Sequence, residues 1–231
     1  MLLYVGAVLA VNGIWLIGQA RAAAVASRLA TAGGPAVGNP SAANPSADAP
    51  SPVAEAAAAE ELGGERVVQP SRAVASPLLI QNREVAILNI FTGFIGVVAA
   101  VTLLVQGNRA GDLVAVRGGG YILLFAFTYL WVSANQYLNA GGRAFGWYCL
   151  FVAVTAIPAG IYTLQAANGN TALIWLGINW FAWALLWGMF WALLALELPI
   201  ARIAGWLAII EGVGTSWALA IAILEGKLSF T

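Results

Sequence analysis

Between Ala144 and Leu196 the chain carries no charged side chain, and Asn168-Gly169-Asn170 supplies a turn signal inside that stretch. At about 1.5 Å of helical rise per residue, each half is long enough to cross a hydrocarbon core of about 30 Å. Backbone groups in lipid have no water to bond. Only helices and closed barrels therefore span a membrane, and a barrel would show short alternating segments in place of continuous apolar runs. The expected fold is an all-α integral membrane protein. Similar runs along the chain predict six transmembrane helices, near residues 2–19, 84–106, 120–138, 145–165, 172–196 and 203–224. With 61% of residues hydrophobic, only 9% charged and a mean hydropathy of +0.84, the chain lacks the charge an ordinary soluble surface needs.

The first apolar run is expected to be a retained helix. Its start, Met1-Leu2-Leu3-Tyr4, lacks the positive region of a secretory signal, and Asn12-Gly13 suits a packed helix better than a signal core. Residues 22–76 are rich in Ala, Pro, Ser and Gly, with Asn39-Pro40, Asn44-Pro45 and Ser51-Pro52 as breakers; they read as a disordered loop insertion, with a brief helix at most over 54–62. Arg21, Arg28, Arg72, Arg83, Arg143 and Arg202 gather on one side of the predicted spans, against Arg109, Arg117 and Lys227 on the other. The positive-inside rule then places the long loop in the cytoplasm and both termini outside.

Several function classes lose their support. The chain has no histidine, which removes the commonest metal ligand, general base and neutral-pH switch. Its single cysteine, Cys149, excludes an intramolecular disulfide and a multi-cysteine metal site. A net charge of +0 gives no reason to expect a nucleic-acid partner. Neither an enzyme nor any cofactor or metal is expected.

Polar and aromatic groups inside the spans point instead to transport. Glu211 falls roughly 13 Å along its helix from Arg202, near mid-membrane, where a carboxylate costs roughly 3 kcal/mol or more and normally faces a protein interior or a solute path. Trp180, Trp183, Trp187 and Trp191 are spaced three, four and four residues apart and so share one helix face. A packing core would produce the same stripe. In the third span Phe127 and Trp131 share a face, with Asn135 one turn on, and Asn12 adds an amide to the first. An interhelical hydrogen bond would account for an amide as well as a solute contact does. No acidic ring or arginine row is present, so ion conduction and voltage sensing are poorly supported. Flat aromatic walls with scattered amides and hydroxyls suit a small, planar, neutral, hydrogen-bonding solute.

Taken in order, these segments resemble the AmiS/UreI family of bacterial urea channels and amide transporters. The likeness rests on Leu2-Leu3-Tyr4-Val5-Gly6 with Asn12-Gly13, Phe127-Thr128-Tyr129-Leu130 with Asn135, Trp147-Tyr148 with Ile157-Pro158-Ala159, Trp180-Phe181-Ala182-Trp183 with Trp187, and residues 206–212 around Glu211. The resemblance implies six helices per protomer, periplasmic termini, and a homo-hexameric ring with a pore through each subunit. It also implies a path lined by Leu2, Val5 and Leu9, by Phe127 and Trp131, by Trp180, Trp183 and Trp187, and by Glu211; Asn12 and Asn135 join these as candidate amides. Trp131 stands where a tyrosine is common in the urea-channel branch. Acid-gated urea channels use histidines in their outer loops, and this chain has none.

The sequence thus reads as a passive inner-membrane channel for urea and short aliphatic amides, not gated by histidine protonation and feeding a cytoplasmic urease or amidase. A proton-coupled amide transporter in which Glu211 cycles its proton is the alternative, and a structural membrane scaffold is the third reading.

Overall fold

The computed structural model describes residues 1–32, 80–138 and 140–230. Among the described residues, six helices are long and apolar enough to cross a membrane. They are α1 (Leu2–Ala32), α2 (Asn82–Ala110), α3 (Leu113–Leu138), α4 (Arg143–Ala166), α5 (Thr171–Leu194) and α6 (Ala201–Leu224), the last interrupted by a π-helical turn over Gly212–Trp217. Two units can be distinguished, Met1–Ala23 with Leu78–Thr231, and Ala24–Pro77. The first holds all that follows, and the second is described only where it continues α1.

α1 runs on past the predicted end at residue 19, as Ala and Arg in 20–28 sustain a helix beyond the apolar segment. The predicted loop therefore begins as helix, and its remainder, 33–76 including 54–62, lies outside the described residues.

The largest departure from the sequence reading is the connection between α2 and α3. Residues 107–119 fall between the second and third predicted spans and so read as a loop. The structure reduces that connection to Gly111-Asp112. Gly111 takes a left-handed φ of 68° at the end of α2, where Asp112 N donates to Gly107 O at 2.8 Å. Asp112 Oδ1 then accepts from Val114 N at 2.9 Å and Ala115 N at 3.1 Å, opening α3. Gly119 is a packing notch here: a Cβ would lie 2.9 Å from Ala100 O, so glycine lets the two helices touch.

α4 and α5 form a second hairpin, turned at Asn168 (φ 44°) and Gly169 (φ 85°), with Asn170 Oδ1 capping α5 at Leu173 N. The turn signal in the sequence falls on this connection. α1 and α6 run antiparallel in close contact, since Gly6 abuts Gly212 and Gly13 abuts Gly205. A Cβ on Gly13 would collide with Gly205 O. This interlock and the even number of spans bring both chain ends to one end of the bundle. A polar seam joins α1 to α2, where the Asn12 and Asn89 amides exchange hydrogen bonds and Trp15 donates to Asn82 Oδ1. Between α3 and α4, Tyr148 donates to Leu124 O at 2.9 Å.

Candidate solute pathway

A cavity of about 370 Å³ lies in the half of the bundle that holds the chain ends. α1 contributes Leu2, Val5 and Leu9, α3 contributes Ile122, Phe125 and Tyr129, and α5 contributes Leu176, Trp180, Trp183, Leu186 and Trp187. The end of α6 adds Ala220, Ile223 and Leu224, while Met1, Leu3 and Phe230 complete the mouth. Following each helix inward, the deepest lining residues are Leu9, Tyr129, Leu186 and Trp187.

Rings form the wall. Phe125 meets three indoles, with centroids 5.3 Å from Trp180, 5.6 Å from Trp183 and 5.7 Å from Trp187. Trp180 and Trp183 meet edge-on at 5.2 Å. Edge-to-face contacts of this kind are worth roughly 0.5–1.5 kcal/mol each beyond area burial, so the wall is held stiffly. Polar groups are sparse but placed. Tyr129 is the lining side chain of α3 that carries a hydroxyl, and the buried Trp187 Nε1 has no hydrogen-bond partner among the described residues. Trp183 Nε1 instead donates to Thr215 Oγ1 at 2.9 Å, behind the wall.

Leu2, Val5, Leu9, Trp180, Trp183 and Trp187, named from the sequence, all line this cavity. Others fall elsewhere. Phe127 is 46% exposed, and with Trp131, Asn135 and Tyr148 it lines a separate, open depression between α3 and α4. Phe125 and Tyr129, at 7% and 1% exposure, take the inward positions instead. The cause is helical phase. A shift of two residues turns a side chain by about 200°, and the pairs 125/129 and 127/131 are equally aromatic and equally spaced. What separates them is the small-residue face of the same helix: Gly119 and Ala126 pack on α2, at Ala100 and Gly96, which leaves Phe125 and Tyr129 to face α5.

Asn12 is engaged by Asn89, through bonds of 3.1 Å and 2.8 Å, and does not line the cavity. Glu211 is 4% exposed and not among the lining residues, and its Oε2 has no hydrogen-bond partner among the described residues. Trp191, the fourth member of the stripe, packs against Trp147 at 6.0 Å and lies beyond the cavity. Among the described residues, no group of three or more His, Cys, Asp or Glu side chains could hold a metal ion.

An AmiS/UreI family transporter profile matches residues 72–227, more than half of the chain. The chain belongs to the AmiS/UreI family. It is a multi-pass membrane protein of the channel and transporter class. It is 30% identical over 173 residues to the acid-activated urea channel of Helicobacter pylori strain J99, which covers 65% of this chain and 89% of that protein. A Mycolicibacterium smegmatis protein described as a transporter of amidate substrates is 34% identical over 149 residues, 64% of this chain and 67% of that one. The crystal structure of the urea channel from Helicobacter pylori has the same fold, with a TM-score of 0.64 and 24% identity over 99% of this chain and 97% of that chain. The family places the chain among transport proteins and not among enzymes.

Proposed function

We propose that this protein is a passive channel for urea and short aliphatic amides, and that the aromatic-walled cavity is its solute path. The observation that carries the reading is the wall itself: four rings in edge-on and tilted contact, with a hydroxyl and, at the deep end, an indole N–H that has no partner among the described residues. Rings cover the faces of a planar solute, and the few polar groups replace part of its hydration, so it enters without being trapped. A channel for a metal ion or a charged solute is expected to line its path with charged side chains or carbonyls, and no Asp, Glu, Lys or Arg side chain is among the described residues lining this one. The names of the relatives, a urea channel and a transporter of amidate substrates, support the same solute class.

In this reading the chain sits in a bacterial inner membrane with both termini outside, as the distribution of Arg and Lys supports. Protomers assemble as a hexamer with one pore each, and the solute feeds a cytoplasmic urease or amidase. Phe127, Trp131 and Asn135 lie on the face away from the path, Asn12 supports the helix packing, and Glu211 acts at the path's inner continuation. The absence of histidine supports a pore without histidine gating.

A second reading draws on the buried Glu211 oxygen, which has no hydrogen-bond partner among the described residues: a proton-coupled carrier would place a titrating carboxylate there. Stopped-flow measurement of urea and acetamide entry into proteoliposomes, with and without an uncoupler, separates the two. Rapid entry that ignores the uncoupler supports the channel, and entry that collapses with the proton gradient supports the carrier. Liposomes that gain no permeability at all would leave only a structural role.

A further inference from the structure

The π-helical turn of α6 faces the middle of the tryptophan stripe. In that turn Ala218 N reaches back five residues to Val213 O, which widens the helix and rotates the segment 212–217 relative to the α-helical pieces on either side. Such turns inside α-helices frequently mark functional sites, and this one contains no proline to explain it. It brings Thr215 against α5. The backbone carbonyl of Thr215 accepts from Asn179 Nδ2 at 2.8 Å, and its Oγ1 accepts from Trp183 Nε1 at 2.9 Å. The hydroxyl has one proton to give, and it goes to Glu211 O at 2.5 Å. The indole bond therefore uses a lone pair whose direction the hydroxyl's own donation fixes. Asn179 and Trp183 sit one turn apart on α5, so the same turn of α6 holds both.

We propose that Thr215 is a positioning residue for permeation. By taking the Trp183 N–H into the α5–α6 seam, it keeps that donor out of the cavity and turns only the carbon surface of the indole toward the solute. Asn179 supports it by anchoring the Thr215 carbonyl. A planar amide passing Trp183 then slides along a ring with no donor to hold it. Without the threonine oxygen, the buried N–H loses its acceptor at 2.9 Å, while Glu211 O and Ser216 Oγ, which lie against that hydroxyl at 2.5 Å and 3.4 Å, stand farther along the seam; an unpaired buried donor is unfavourable. The indole then turns its N–H toward the cavity, and the wall gains a binding group where it had a smooth face. This inference rests on the proposed solute path for its transport consequence, but the indole's hydrogen bond can be read independently.

Three variants decide it. Thr215→Val keeps the shape and removes the acceptor, Thr215→Ser keeps the acceptor, and Trp183→Phe identifies the Trp183 signal by difference. Ultraviolet resonance Raman spectra of the indole N–H band, taken on purified protein, are expected to show the Trp183 component shift to a changed hydrogen-bonding state in Thr215→Val and stay at the wild-type position in Thr215→Ser. In proteoliposomes the ratio of propionamide to urea permeability is expected to change by about tenfold in Thr215→Val, the scale of one altered contact in a narrow site, and to return in Thr215→Ser. A Trp183 band that is the same in Thr215→Val as in wild type overturns the proposal, as does an equal change of the permeability ratio in Ser and Val. If wild-type protein passes no amide, the proposed function fails while the spectra still decide the placement of Trp183. If Thr215→Val does not insert, Thr215→Ala takes its place; failure of both beside an intact Ser variant makes the residue a folding element and overturns the positioning role.

Discussion

Tyr129 and Trp187 meet edge-on at the deep end of the cavity, their ring centroids 6.4 Å apart. Both are almost wholly buried, and Phe125 braces Trp187 from the side. If this pair sets the narrowest passage, shortening Trp187 admits wider solutes. Trp187→Ala is expected to raise the permeability of propionamide relative to urea by about tenfold or more, since a single methylene in a tight apolar site is worth about 1–3 kcal/mol. Stopped-flow permeabilities across an amide series check this. An unchanged ratio together with a weakened oligomer would make the stripe a packing surface.

Asn12 and Asn89 exchange hydrogen bonds, and Asn89 also donates to Val85 O at 2.8 Å. Asn12→Leu leaves the Asn89 amide short of a partner, at a cost of about 1–3 kcal/mol. Replacing both by Leu is expected to cost less than the sum of the two single changes, because neither amide is then stranded. Denaturation of the detergent-solubilised protein gives the cycle. The double variant should keep its urea flux; loss of flux in a stable double variant would return Asn12 to the solute path.

The contact between α1 and α6 is close enough that one methyl group is felt. Gly13→Ala is expected to destabilise the protein by about 1–3 kcal/mol, because its Cβ would meet Gly205 O and the Ile209 side chain. Gly120→Ala meets nothing within 4 Å and should be neutral or slightly stabilising, as Ala is the better helix former by about 1 kcal/mol. Thermal melting of the two variants side by side tests the difference.

The sequence made the helices plain because hydropathy is a local signal, and a charge-free run such as 144–196 has few alternatives. The turn at Asn168-Gly169-Asn170 was equally local. What could not be read was everything set by a neighbour. Nothing in the sequence shows Gly119 packed against Ala100, so the short α2–α3 connection was hidden. The two aromatic pairs of α3 differ only in what the helix packs on. Thr215 reads from the sequence as one of several uncharged hydrogen-bonding groups within the spans, but nothing in Gly-Val-Gly-Thr-Ser-Trp announces a π-helical turn, and Asn12 could not show its partner 77 positions away.

With no histidine to titrate, urea flux is expected to vary little between about pH 5 and 7.5, the range around an ordinary histidine pKa of about 6.5. Flux measured across that range in proteoliposomes checks it. A steep acid activation that disappears in Asp112→Asn would place a sensor at the cap of α3, and one that disappears in Glu211→Gln would place it within the bundle.

The central claim, that the cavity faced by Phe125, Tyr129 and the tryptophans carries the solute, is tested most directly by blocking it from inside. In a Cys149→Ala background, Ile122→Cys puts a thiol in the cavity and Phe127→Cys puts one in the outer depression. Urea flux is measured before and after labelling with a benzyl methanethiosulfonate, and again after reduction. The account predicts that labelling at 122 lowers flux to the level of protein-free liposomes, reversibly, and that labelling at 127 leaves it unchanged. Block at 127 with free flux through labelled 122 would contradict it and move the path to the other face of α3.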